Sequence, residues 1–211
     1  MTELLPSFAR IRAIVFDLDG TLYQSDQLGE EVNLAACRYA ADLQDVSVEE
    51  GFTRIESERI RQKESGGTLS KAIEALGGTL QELHQRLSDE VHPEGVLAPD
   101  PRVLKLLQDL GARYELVIYT NNNRALSARI MKEIGVYGMF ARTYTIQDFW
   151  RPKPDRDALS TILKEIGHPP EEVLFVGDRY DVDLRLPREL GCPVLESQTI
   201  EELLQLRELC K

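Results

Sequence analysis

The chain has 211 residues, 42% apolar and 29% charged, which suits one globular domain, or one large domain with a small insert. Its net charge of −11, from 25 basic and 36 acidic side chains, argues against nucleic acid as a partner, because an acidic surface repels a phosphate backbone. Cys37, Cys192 and Cys210 form no CxxC pair, so neither a disulfide framework nor a zinc site is suggested; no apolar run approaches the ~20 residues of a membrane span, and a cytoplasmic protein with no membrane partner is expected.

The first apolar run, Ala13–Phe16, ends in Asp17-Leu18-Asp19-Gly20-Thr21. Residues two apart on an extended chain point to the same side, so Asp17 and Asp19 face a common point. Two carboxylates crowded there repel unless a cation or a shared proton relieves them. Gly20 lets the chain turn sharply and lets its backbone approach a ligand.

From about Gln24 to His92 no strand is expected, and helical patterns cover Glu30–Leu43, Val48–Glu64, Leu69–Leu76 and Leu80–Glu90. Gly66-Gly67 and Gly77-Gly78 separate them, and the stretch returns through His92–Pro101, which carries three prolines. The reading is an all-helical insert at 24–96 within a core formed by 1–23 and 97–211. His84, His92 and His168 have no partner pattern and read as surface or packing residues.

Beyond the insert, strand and helix alternate. A helix over Asp100–Leu110 is closed by Gly111, one over Arg124–Ile134 by Gly135, and one over Asp157–Ile166 by Gly167, each glycine placed for a left-handed C-cap. Strands are expected at Leu116–Tyr119, Val173–Val176 and Pro193–Leu195, with a weaker one at Thr143–Ile146. Their lack of alternation is the mark of strands buried on both faces. The pattern predicts an α/β fold: a Rossmann-like, doubly wound parallel sheet of about five strands with a helical cap after the first. The closing helix, 199–209, has an apolar spacing that packing on the sheet explains, so it carries no expectation about oligomeric state.

Three further clusters join the first at strand ends. Thr120-Asn121-Asn122 follows the second strand and opens a helix, which suits an anion, though a plain N-cap reads the same way. Lys153, between Pro152 and Pro154, is either a fixed inward charge or a solvated loop lysine. Gly177-Asp178-Arg179-Tyr180-Asp181-Val182-Asp183 places three carboxylates in one loop, as a hard cation requires, although an acidic turn would look alike. Ligands of open α/β sheets bind at the carboxyl ends of the strands, and four clusters at that one edge would be a poor coincidence.

In this order the clusters resemble the four motifs of the haloacid dehalogenase-like hydrolase superfamily, most specifically through "VFDLDGTL" and "VGDRYDVD". The insert looks like that family's first-type cap. The resemblance implies a magnesium-dependent phosphatase acting on a small phosphorylated metabolite. Asp17 is then the nucleophile and Asp19 the general acid and base. Thr120, Asn121 and Lys153 bind the phosphoryl group, and Asp17, the Asp19 carbonyl, Asp178 and Asp183 hold or surround Mg2+. Leu184-Arg185-Leu186-Pro187 departs from the small residues common there and suggests a late or short helix. A sugar phosphomutase on the same core and a non-catalytic phosphate-binding module remain alternatives. A haloacid dehalogenase is disfavoured because expelling halide needs neither a proton from Asp19 nor a metal.

Overall fold

The computed structural model describes residues 10–62 and 66–210. Five strands, β1 (Ala13–Phe16), β2 (Glu115–Tyr119), β3 (Arg142–Tyr144), β4 (Val173–Gly177) and β5 (Val194–Glu196), form one sheet in the order β3-β2-β1-β4-β5. Every pairing is parallel, with Ala13 opposite Glu115 on one side and Val173 on the other. The order reverses between β1 and β4, and that switch point is where such sheets open a crevice.

The central strands lack alternation because both faces are covered. Ile14, Phe16, Leu116, Ile118, Leu174 and Val176 enter one apolar cluster, while Ala13, Val15, Val117, Val173 and Phe175 enter another. The first cluster includes Val103, Leu106, Leu107 and Leu110 of α5 (Pro101–Gly111) and Leu126 and Ile130 of α6 (Arg124–Glu133). The second is closed by Ala158, Leu159, Ile162 and Ile166 of α8 (Arg156–Ile166).

Among the described residues, four helices lie between β1 and the core helix α5: α1 (Asp26–Gln44), α2 (Val48–Arg61), α3 (Leu69–Ala75) and α4 (Leu80–Glu90). They form an all-helical cap inserted after the first strand. Side-chain oxygens of Ser25, Ser47, Thr68 and Thr79 each accept a backbone N–H of the first turn, so each helix starts at its own cap residue. The helix expected over 48–64 is described to Arg61; Lys63 and Glu64 fall outside the described residues. No helix among the described residues is long and apolar enough to cross a membrane.

Two local expectations need correction. Gly111 does not end its helix in a left-handed turn; the helix includes it and Ala112 caps it in the right-handed region at φ −71°. Arg113 and Tyr114 N–H groups both bond Leu110 O at 2.9 Å, so a right-handed turn satisfies the last carbonyls. The strand expected at 143–146 stops at Tyr144, because Thr145 starts the short helix α7 (Ile146–Phe149) and bonds Asp148 Oδ2 through both its N–H (2.7 Å) and its hydroxyl (2.8 Å). Pro187 does sit within a short helix, α9 (Arg185–Glu189), which follows one π-helical turn over Tyr180–Leu184. Leu184 is buried in the α8-side cluster, filling space against the sheet.

Candidate active site

The β1 ladder runs on through Asp17, whose N–H bonds Val176 O of β4 at 2.8 Å and so aims the carboxylate out of the carboxyl edge of the sheet. Asp17 is buried there, beside Asp178 and Asp183 from the loop after β4. One carboxylate oxygen from each of these three residues lies within 4.8 Å of the others.

Two glycines make this convergence sterically possible. A Cβ on Gly20 would stand 2.6 Å from Asp178 Oδ2, and its φ of +84° suits glycine. A Cβ on Gly177 would stand 2.5 Å from Asp183 Cβ. The π-helical turn then brings Asp183 back under the strand end, where its Oδ2 accepts Arg179 N–H at 3.2 Å.

Lys153 is buried with its ammonium at the centre of the group. Nζ lies 2.6 Å from Asp17 Oδ1, 2.6 Å from Asp183 Oδ1 and 2.9 Å from Tyr119 O, which occupies its three donors. Its backbone N–H donates to Asn121 Oδ1 at 2.7 Å, tying the lysine loop to the end of β2. The inward reading of Lys153 therefore holds over the solvated one.

Asp19 is held apart from that group by three donors. Tyr23 Oη donates to Oδ1 at 2.6 Å, Thr120 Oγ1 to Oδ2 at 3.1 Å, and Asn122 Nδ2 reaches Oδ1 at 3.3 Å. The sequence placed Thr120 and Asn121 on an anion; in the structure the Thr120 hydroxyl is on Asp19, and Asn121 keeps a buried Nδ2 with no hydrogen bond among the described residues. Tyr23 was not singled out from sequence, and Asn122 was named only as part of the strand-end cluster, without its bond to Asp19. The signal for Tyr23 was its spacing: a turn bonds Leu22 N–H to Leu18 O at 3.1 Å and folds position 23 back over position 19. His84, read as surface or packing, is buried on α4 beside Trp150, with ring centroids 6.5 Å apart.

The electrostatics follow from crowding. The Asp17 carboxyl is raised to about 7: burial is the largest cause, Lys153 pulls it down, and Asp183, Asp19 and Asp178 add to the rise. Burial also raises Asp178. Burial opposes the charge on Lys153, but Asp17 and Asp183 outweigh it and hold the ammonium above its ordinary value. Burial and the neighbouring Asp19 raise Tyr23 far above the usual phenol, so it remains a donor.

Asp17 Oδ2 and Asp178 Oδ1 are buried and accept no hydrogen bond among the described residues. Two orphaned carboxylate oxygens within an all-oxygen set are what a hard divalent cation requires, so these residues fit one.

The chain is 28% identical over 207 residues to the phosphoglycolate phosphatase of Escherichia coli, covering 88% of this chain and 81% of that protein. It is 27% identical over 195 residues to the glyceraldehyde 3-phosphate phosphatase of Methanocaldococcus jannaschii, covering 86% and 82%. The 2-haloacid dehalogenase of Pseudomonas syringae shares the fold with a TM-score of 0.60 at 21% identity, over 94% of this chain and 97% of that one. The family model for haloacid dehalogenase-like hydrolases matches residues 11–191, a span that holds all four strand-end clusters together with the cap, and the chain belongs to that family.

Proposed function

We propose that this hydrolase is a magnesium-dependent phosphatase that cleaves a small phosphorylated metabolite through an aspartyl-phosphate on Asp17. The carrying observation is the division of labour between the two Asp17 oxygens: Oδ1 is held by Lys153, and Oδ2 has no hydrogen-bond partner among the described residues. The lysine orients the carboxylate and keeps positive charge beside Oδ1, the oxygen that would attack phosphorus, while Oδ2 would face the cation. Two relatives whose names are phosphatases support the reading.

In the first step an Asp17 oxygen attacks phosphorus, the bond to the leaving oxygen breaks, and Asp19 gives that oxygen its proton. In the second, Asp19 takes a proton from water, the hydroxide attacks phosphorus, and the bond to Asp17 breaks. Phosphate leaves, and both aspartates return to their starting states. Tyr23, Thr120 and Asn122 hold Asp19 in place through both transfers. Asn121 Nδ2 supplies a donor for a phosphoryl oxygen, and Lys153 supplies fixed positive charge beside the attacking group.

Asp17, Asp178 and Asp183, with the Asp19 carbonyl, would hold the cation. When bound, magnesium offsets the repulsion between the carboxylates and a phosphate dianion. Residues 24–96 act as the cap that shields this chemistry from bulk water. A dehalogenase would need neither a proton donor at Asp19 nor three converging carboxylates, so the same fold does not favour that activity here.

The test is phosphate release from a panel of phosphorylated metabolites, with magnesium and with a chelator. Metal-dependent release from at least one compound is expected, and Asp17→Asn should abolish it. Isomerised product without free phosphate would identify a phosphomutase instead. No turnover of any compound would favour a binding module.

A further inference from the structure

A cavity of about 900 Å³ opens above the reaction centre. Asp19, Asn121 and Asn122 line it from the core, and Arg59, Ser70 and His84 from the cap. Small-ligand pockets run to roughly 1,000 Å³, so this space suits a substrate with a sizeable body beyond its phosphoryl group.

His84 is tied to the core beside the reaction centre through its backbone carbonyl. Asn123 Nδ2 donates to His84 O at 3.0 Å, while the adjacent Asn122 Nδ2 reaches Asp19 Oδ1 at 3.3 Å. Consecutive amides at the end of β2 thus hold the cap residue and the proton donor in one frame.

The His84 ring is buried, and neither nitrogen makes a hydrogen bond among the described residues. Leucine or phenylalanine would fill that space without leaving polar atoms unpaired, so mere packing does not account for an imidazole. Burial holds it in the neutral form, with one donor and one acceptor. The cations that line the cavity are already engaged: Arg59 Nη1 lies 2.8 Å from Glu56 Oε1 and its Nε bonds Gly67 O at 3.3 Å, while Arg179 Nε lies 3.8 Å from Asp178 Oδ1 and 4.0 Å from Asp183 Oδ2.

We propose that His84 is the specificity residue by which the cap recognises an uncharged, hydroxyl-bearing leaving group, of the polyol or sugar type. This rests on the phosphatase reading above. A hydroxyl both donates and accepts, which matches a neutral imidazole, whereas a carboxylate would call for a free cation.

The test compares kcat/KM for glycerol 3-phosphate and glucose 6-phosphate with that for p-nitrophenyl phosphate, whose leaving group bears no hydroxyl to recognise. In His84→Leu the ratio for the better hydroxylated probe over p-nitrophenyl phosphate should fall about tenfold, mainly through KM, the size of one lost hydrogen bond. His84→Gln, which keeps a donor and an acceptor, should recover much of that ratio. An unchanged ratio in a folded His84→Leu overturns the inference. So does a wild-type preference of tenfold or more for 3-phosphoglycerate over both hydroxylated probes. Turnover of p-nitrophenyl phosphate alone overturns it while leaving the phosphatase reading in place. Release of phosphate from none of these compounds overturns both.

Discussion

Lys153 Nζ lies 2.6 Å from Asp17 Oδ1, joining residues 136 positions apart in the chain. The same ammonium is 2.6 Å from Asp183, so one buried cation holds two buried carboxylates. Removing it leaves both uncompensated. Lys153→Met should abolish turnover and destabilise the metal-free protein by about 3–5 kcal/mol. Magnesium should restore part of that stability, since it neutralises the same carboxylates. Thermal melts with and without magnesium check this, and an unchanged melting temperature in Lys153→Met would contradict it.

The elevated Asp17 carboxyl links stability to pH. Its pKa rises from 3.8 in the unfolded chain to about 7 in the fold. Between those values the folded state keeps a proton that the unfolded state has lost, so this group's contribution declines as pH rises from about 4 through 7. Cation binding requires the carboxylate and releases that proton. Magnesium should therefore stabilise the protein more at pH 8 than at pH 5. Asp17→Asn should be more stable than wild type without metal at pH 8, and should gain less from magnesium.

His84 has the opposite slope. Burial lowers it from 6.5 to about 4, so the unfolded state binds a proton first as the solution is acidified. Stability is then lost as pH falls from about 6.5 to 4, by roughly 3 kcal/mol in all. His84→Leu should flatten this part of the profile. Chemical denaturation at pH 7, 5.5 and 4.5 would show whether the mutant differs from wild type.

Tyr23 is expected to position the acid rather than bind substrate. Tyr23→Phe removes the 2.6 Å hydrogen bond to Asp19 but keeps the ring. The rate of phosphoryl transfer to Asp17, read in a single turnover, should fall about tenfold for alkyl phosphates, whose leaving oxygen needs a proton, and much less for acetyl phosphate. Equal losses on both substrates would point to a general structural defect instead.

Gly20→Ala tests the convergence of the carboxylates. Its Cβ would meet Asp178 Oδ2 at 2.6 Å on a backbone at φ +84°. A backbone penalty of about 1–2 kcal/mol is expected, together with weaker magnesium binding by calorimetry.

Much of this was legible in the sequence because its signals are local. Ala13–Phe16, Leu80–Glu90 and the strand-end clusters announce themselves through composition and spacing, and those clusters meet because the parallel sheet puts its carboxyl ends on one edge. Pairings between distant elements were not legible. Asn122 with Asp19, Asn123 with His84, and the triple engagement of Lys153 depend on how loops pack, and no residue pattern encodes that. Gly111 misled because a glycine after an apolar stripe fits a left-handed cap, yet the following turn already satisfies the helix carbonyls.

On the proposed mechanism Asp17 carries the phosphoryl group. Acetyl phosphate needs no proton on its leaving group, so Asp19→Asn should still load Asp17 from it but should fail to hydrolyse the resulting acyl phosphate. Mass spectrometry of the acid-quenched Asp19→Asn protein after mixing with acetyl phosphate and magnesium should find a phosphoryl adduct on the peptide bearing Asp17, absent when Asp17 is also changed to Asn. An adduct confined to another residue, or consumption of acetyl phosphate by the double variant at the same rate, would contradict the account.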